Sequence, residues 1–255
     1  METPALSPNS ETETCDETEK PYVFDEAGIA LLAVHRVNDI ILMNSRLREF
    51  WQGYGNGWCS PTGADLLREA KLDWQVELSH TLKLFLDPGT PDDQQARLIL
   101  AWANLGTLVE GTMKWFLCVF HCDYSRNPLV DYSQNPIDPP DIWFAKLCEF
   151  FEQKIWTTPK EPKHQSKWWN WTRLIRKRRN AIHAFCDHDI GTHAEWLKQV
   201  CNYWQFLQYL NFHVPYPDEP PRAPSELSYF EFWNRRDSTR GIPLPSGREL
   251  HPLLP

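Results

Sequence analysis

The chain has 255 residues, 42% of them hydrophobic and 13 of them Trp, enough for one sizeable packed core. Its longest apolar runs, such as WFLCVF, fall far short of the ~20 residues a membrane-spanning helix needs, so no membrane partner is expected. The formal net charge of −8 conceals a polarised chain: residues 1–26 hold eight acids against one Lys, and residues 160–180 hold eight bases against one Glu. A concentrated basic segment on a mildly acidic body is a footprint that a phosphate can use.

Residues 1–24 are rich in Glu, Thr, Pro and Ser and read as a disordered acidic segment. They show no basic start and no apolar h-region, so a signal peptide is not expected. Seven Cys, an odd number without CxxC pairs, suit a reducing cytoplasm better than a disulfide framework.

From residue 25 to 212 the periodicity is helical. The first candidate helix covers 27–51, with Leu31, Val34, Asn38, Ile41 and Leu42 at helical spacing, and NGWCSPTG then breaks the chain. A second covers 64–86 and ends at DPGTPDD. The clearest pattern spans 92–121, where Leu98, Trp102, Leu105, Val109, Phe116 and Phe120 recur mostly three or four apart behind an acidic start at Asp92 and Asp93. NPLVDYSQNPIDPP reads as a loop, 141–155 as a helix closed by TTPKEP, 165–186 as a basic helix, and 193–211 as a last helix with Trp196, Val200, Tyr203, Leu207 and Leu210. Strand-like alternation is nearly absent. The expected fold is all-α, a bundle of about five helices, followed by a Pro-rich extension over 213–255.

Several constellations invite a functional reading. Glu110 and Lys114, four apart on the long helix, form at least an ordinary helical ion pair. Cys118, His121 and Cys122, and His183, Cys186, His188 and His193, lack the paired spacing of zinc ligands, so neither a metal nor a cofactor is expected. There is no GxGxxG, P-loop or GxSxG. Trp168, Trp169 and Trp171 beside the basic run could stack bases, although Trp171 lies on an apolar stripe and reads as core.

That stripe sharpens the basic segment RKRRNAIHAF. On a helical wheel Trp171, Leu174, Ile175, Ile182 and Phe185 share one side, and Arg178 falls among them. A guanidinium aimed at apolar neighbours must be paired, or must open onto an interface or cleft. Arg173, Arg176, Arg179, Asn180 and His183 lie away from the stripe, and His183 follows Arg179 by four residues. These groups suffice for cleaving RNA without a metal. An imidazole moves protons, an Arg clamps phosphoryl oxygens bidentately, and an Asn orients either of them. One His cannot easily serve both the 2′-OH and the leaving 5′-oxygen, so two motifs meeting across a symmetric interface would be economical.

An all-α bundle with a late R-x4-H sequence, here Arg178-x4-His183, resembles the HEPN superfamily. The stretch RRNAIHAFCDHDIGT, followed by a Tyr/Trp-rich helix and VPYP, is similar to bacterial HEPN-like proteins. The resemblance covers about residues 27–212 and leaves out both tails. It implies a homodimer with facing motifs and metal-independent endoribonuclease activity; the His and Arg chemistry set out above would leave 2′,3′-cyclic phosphate and 5′-OH ends, and the cysteine usage places the chain in the cytoplasm. The resemblance also implies a place among toxins or antiphage effectors, with an antitoxin or another defence-system protein as partner. Catalysis would fall to Arg178 or Arg179, Asn180 and His183, RNA binding to Lys167, Arg173, Arg176 and Lys177, and alignment of the Arg to Glu110 and Lys114. In the common form Asn directly follows the motif's Arg, whereas here Arg179 intervenes, so either arginine fits. On an undistorted helix Arg178 and His183 stand about 140° apart, and they converge only if the helix ends near Asn180 or a partner subunit supplies one of them. Because some HEPN members no longer cleave RNA, the alternative is a non-catalytic module that binds RNA, a nucleotide or a protein.

Overall fold

Helix α4, Gln94–Val119, is the element on which the others are arranged, and its sequence accounts for that position. Leu98, Trp102, Leu105, Val109 and Phe116 are all buried, as the spacing predicts. They are joined by Ala101, Leu108, Met113 and Leu117, so most of the circumference is apolar and must be covered on several sides. Its start is marked by Asp93, whose carboxylate accepts from the Thr90 amide and hydroxyl at 2.7 and 2.9 Å. These bonds hold the Asp93 carboxyl below the usual carboxylate range.

The computed structural model describes residues 26–53, 57–156, 162–183, 187–214 and 216, with the backbone alone at 162–166. Among them there are eight α-helices and no strand: α1 Glu26–Gln52, α2 Pro61–Glu69, α3 Leu72–Thr81, α4, α5 His121–Tyr124, α6 Phe144–Phe150, α7 Pro162–Arg179 and α8 His193–Phe212. The fold is all-α. Two of the segments expected from periodicity are subdivided, and α5 is a single turn that follows the 92–121 segment. The 64–86 segment is cut at Ala70, whose carbonyl accepts from Gln52 Nε2 at 2.7 Å, and ends in a 3₁₀ turn, Leu82–Phe85. The 141–155 segment is a 3₁₀ turn, Pro139–Asp141, then α6 and a π turn, Phe151–Ile155. No helix among the described residues is long and apolar enough to cross a membrane. The acidic segment 1–24, the extension beyond Tyr216, and Phe185 and Cys186 lie outside the described residues.

Helix α1 packs on α3 and α8, and α4 packs on α7, α8, α2 and α3. The face α1 buries is Ala33, Val37, Ile40, Met43 and Leu47. Leu31, Val34 and Leu42 of the expected stripe are exposed, at 63%, 41% and 40%. Both stripes are apolar, and contact with α3 and α8 selects the one carrying Asn44, whose amide donates to Ser79 Oγ of α3 at 2.6 Å. On α8, Trp196, Val200, Tyr203, Leu207 and Leu210 are all fully buried, as expected. Beyond α8, Tyr216 packs against Phe50 and Trp51, with ring centroids 5.3 and 5.9 Å away.

Two lateral joints fix what flanks α4. On one side Gln75 of α3 donates through Nε2 to the Leu108 carbonyl at 2.8 Å, and the Asn104 amide donates to the Leu78 carbonyl and Thr81 Oγ1 at 3.1 and 2.8 Å. On the other side α7 runs along the flank that carries Trp102, Gly106 and Glu110. The strip of α4 between them holds exposed Leu100 and Thr107 and half-buried Ala103, Glu110 and Lys114.

Candidate functional site

The basic helix α7 uses its residues in opposite ways on its two flanks. Trp168, Thr172, Ile175 and Trp171 form the buried face. Trp168 packs on Phe206 and Tyr209, and Trp171 donates through Nε1 to Gln199 Oε1 at 2.9 Å. Both are core residues, which removes two of the three tryptophans considered for base stacking. Trp169 is half-buried under Arg173, whose guanidinium lies 5.0 Å from the ring centroid. Lys167 turns to the α8 flank, donating to Gln205 Oε1 at 2.8 Å and lying 4.7 Å above the Trp168 ring. The residue is exposed, yet partial desolvation of its ammonium holds it below the usual lysine range. Arg176 is half-buried and interacts electrostatically with Cys148 of α6, and Lys177 is exposed.

Arg178 is buried, at 6%, as its place on the stripe requires, and it is paired internally. Its guanidinium lies 4.8 Å from the Trp102 ring centroid and donates to Glu195 Oε2 at 3.2 Å, with Asp189 Oδ2 at 3.7 Å. The same Glu195 oxygen accepts from the Thr192 amide at 2.9 Å, while Thr192 Oγ1 accepts from the Glu195 amide at 3.2 Å. This is a reciprocal capping box at the start of α8. Gly191 makes the arrangement possible. Its φ of +63° favours glycine, and a Cβ there would lie 2.6 Å from both terminal guanidinium nitrogens and 2.0 Å from Glu195 Oε2. Trp102 Nε1 also donates to the Ile190 carbonyl at 2.7 Å. Arg178 therefore ties α7, α4, the 187–192 loop and the cap of α8 into one joint.

Arg179 does the opposite. It leans onto α4, where Gly106 gives its stem room: a Cβ at Gly106 would lie 2.5 Å from Arg179 Cγ. The side chain is 31% exposed, and its guanidinium donates to Glu110 Oε2 at 3.4 Å. The other Glu110 oxygen meets Lys114 Nζ at 2.9 Å. The ion pair expected on α4 is thus present, and it is extended to a triad in which one carboxylate holds two cations. The triad carries a surplus positive charge at a partly open edge between α4 and α7.

Immediately after Arg179 the α-helix gives way to a 3₁₀ turn, Asn180–His183. The turn packs on α4 through buried Ala181, leaving Asn180 half-buried and His183 exposed. Ile182, expected on the apolar stripe, is 40% exposed because the tighter turn rotates it out of register. With about 120° per 3₁₀ residue, Arg178 and His183 remain about 140° apart, and the Arg179–His183 angle opens from about 40° to about 120°. Within one chain, neither arginine shares a face with His183.

Of the residues singled out by sequence, Glu110, Lys114 and Arg179 come together. Arg178 belongs to a separate internal joint, and Lys167 faces the opposite flank of α7. Glu195, the partner of Arg178, escaped notice although Thr192-x-x-Glu195 before an apolar run is a legible capping signal. Compared with protein-family models, with curated proteins and with solved structures, the chain matches none.

Proposed function

We propose that this chain is a HEPN-type endoribonuclease acting as a cytoplasmic homodimer, a toxin or antiphage effector held in check by an antitoxin or another defence-system protein. The observation that carries the reading is the division between adjacent arginines: Arg178 is committed to Glu195 and Trp102, whereas Arg179 is held at a partly open edge with charge to spare. In this reading Arg179, one residue past the R-x4-H position but directly before Asn180 as in the common form, is the functional arginine. Glu110 orients its guanidinium, Lys114 adds a second cation, and Arg173, Arg176 and Lys177 steer RNA along α7.

The wide angle between Arg179 and His183 favours catalysis in trans. Arg179 of one protomer, with Asn180, holds the scissile phosphate, and His183 side chains of the two protomers divide the proton transfers. One imidazole takes the 2′-OH proton as the 2′-oxygen attacks phosphorus, and the other returns a proton to the departing 5′-oxygen. The P–O5′ bond breaks as the P–O2′ bond forms, giving a 2′,3′-cyclic phosphate and a 5′-OH. Arg179 neutralises the charge that builds on the phosphoryl oxygens. The step as drawn uses neither a metal nor a cofactor.

The test is incubation of purified protein with RNA in EDTA and chemical identification of the ends. Cleavage to cyclic phosphate that disappears in both His183→Ala and Arg179→Ala, with RNA binding kept in His183→Ala, supports the reading. RNA that is bound with a steep salt dependence but left intact assigns the chain to the non-catalytic binding modules. No binding at low salt overturns both.

A further inference from the structure

The strip of α4 that carries the triad has a second wall. On α3, Trp74, Leu78 and Thr81 lie along one line, since residues seven apart are separated by about 20° on a helix. Thr81 Oγ1 and the Leu78 carbonyl both accept from Asn104, so this line borders α4. One to two turns further along, Gln75 reaches the Leu108 carbonyl and lies against Gly111, which places the start of α3 beside the turn holding Gly111 and Lys114. Trp74 stands at that point with 63% of its surface exposed. The result is a groove with Thr107, Glu110 and Lys114 on its floor, Arg179 on one wall and Trp74 on the other. With neighbouring helix axes about 8–10 Å apart, its walls stand within roughly 20 Å of each other.

We infer that this groove is a binding track for single-stranded RNA, in which Trp74 stacks an unpaired base while Lys114 and Arg179 take the neighbouring phosphates. The inference rests on the ribonuclease reading and extends it, giving a base-stacking residue on an element remote in sequence from the basic helix. Charge complementarity selects the occupant. Glu110, the acid on the floor, is matched by two cations; Asp73 of α3 turns about 160° away from Gln75, and Glu77, about 60° from Trp74, is offset by exposed Lys71 three residues before Trp74. An exposed indole beside cations is the pairing by which sequence-tolerant proteins hold single strands: the ring meets any base face and the cations follow the backbone.

The experiment measures binding of a fluorescein-labelled twelve-nucleotide RNA to full-length His183→Ala protein by fluorescence anisotropy, with and without a second change at Trp74. Trp74→Ala is expected to weaken binding by about 5- to 150-fold, the range for losing one stacked base. Trp74→Phe should retain most of the affinity, and the effect should be confined to the single strand, with a duplex of the same sequence bound equally by both proteins. Because Trp74 is largely exposed, thermal unfolding of Trp74→Ala should match its parent. If the parent binds the single strand and Trp74→Ala binds it equally, the track is overturned while the ribonuclease reading stands. Equal loss on the duplex removes stacking as the cause and overturns it too, as does loss of self-association with RNA affinity unchanged. If the parent binds no RNA, both readings fall together.

Discussion

Replacing Arg178 and Arg179 separately by Ala is the sharpest comparison, because adjacent residues of one type should fail in different ways. Arg178 loses a cation–π contact with Trp102 from a desolvated position, about 1–2 kcal/mol. It also loses ion pairs to Glu195 and Asp189, whose side chains are 50% and 70% exposed, so solvent screening limits each to roughly 0.2–1 kcal/mol. With the packing of its buried stem added, the loss comes to about 2–4 kcal/mol. For a body of this size that lowers the melting temperature by roughly 5–15 °C. No stranded charge adds to it, since Glu195 is half exposed and keeps its cap bond to Thr192. Arg179→Ala gives up one partly exposed ion pair and the stem contact with Gly106, about 1 kcal/mol or less, a shift of only a few degrees. Its RNA phenotype should instead be complete. Calorimetry with a parallel cleavage assay decides the matter. If Arg179→Ala is the less stable variant, or if Arg178→Ala is fully stable yet inactive, the assignment of the two arginines is reversed.

Two further predictions follow from the cap of α8 and from the buried thiols. Thr192→Ala should cost about 1 kcal/mol in urea unfolding, and Glu195→Ala more, since Glu195 both closes the capping box and holds Arg178; equal losses would show the Arg178 contact to be idle. Burial pushes the Cys118 thiol up to about 12 and those of Cys148 and Cys201 up to about 11. The folded state therefore keeps protons that the unfolded chain releases near pH 8.5, and the stability this gives is present below that pH and lost as pH rises toward the folded values. Urea midpoints should be level up to about pH 8 and fall between about pH 9 and 11, each thiol steepening the slope by up to about 1.4 kcal/mol per pH unit. A fall that is no shallower in Cys201→Ala would place the alkaline sensitivity elsewhere.

Periodicity found α4 and α8 because each has one continuous apolar face wide enough to dominate its sequence. It chose the wrong face of α1, where two apolar stripes compete and only contact with α3 and α8 decides between them. The breaks at Ala70 and Asn180 carry no Gly or Pro. They depend on contacts with remote residues, the Gln52 amide on the Ala70 carbonyl and the seating of Ala181 against α4, and are invisible to local reading.

The site divides along the same line. A buried arginine announces itself through its place on an apolar stripe, so the need to pair Arg178 was legible; the Thr192-x-x-Glu195 box marks only the start of α8 and does not point to Glu195 as the partner. What makes Arg179 available is not legible in the same way. It depends on Gly106 and Glu110, the latter 69 positions away in sequence, both brought beneath it by the packing of α7 on α4. The two arginines have one another as nearest neighbours in the chain and about 100° between them on the helix, so one must turn toward α8 and the other toward α4. Burying the first gives the bundle an internal clamp. Because that clamp sets the rotation of α7, it also sets the angle at which the second meets the groove, and any loosening at Glu195 should be felt at Arg179.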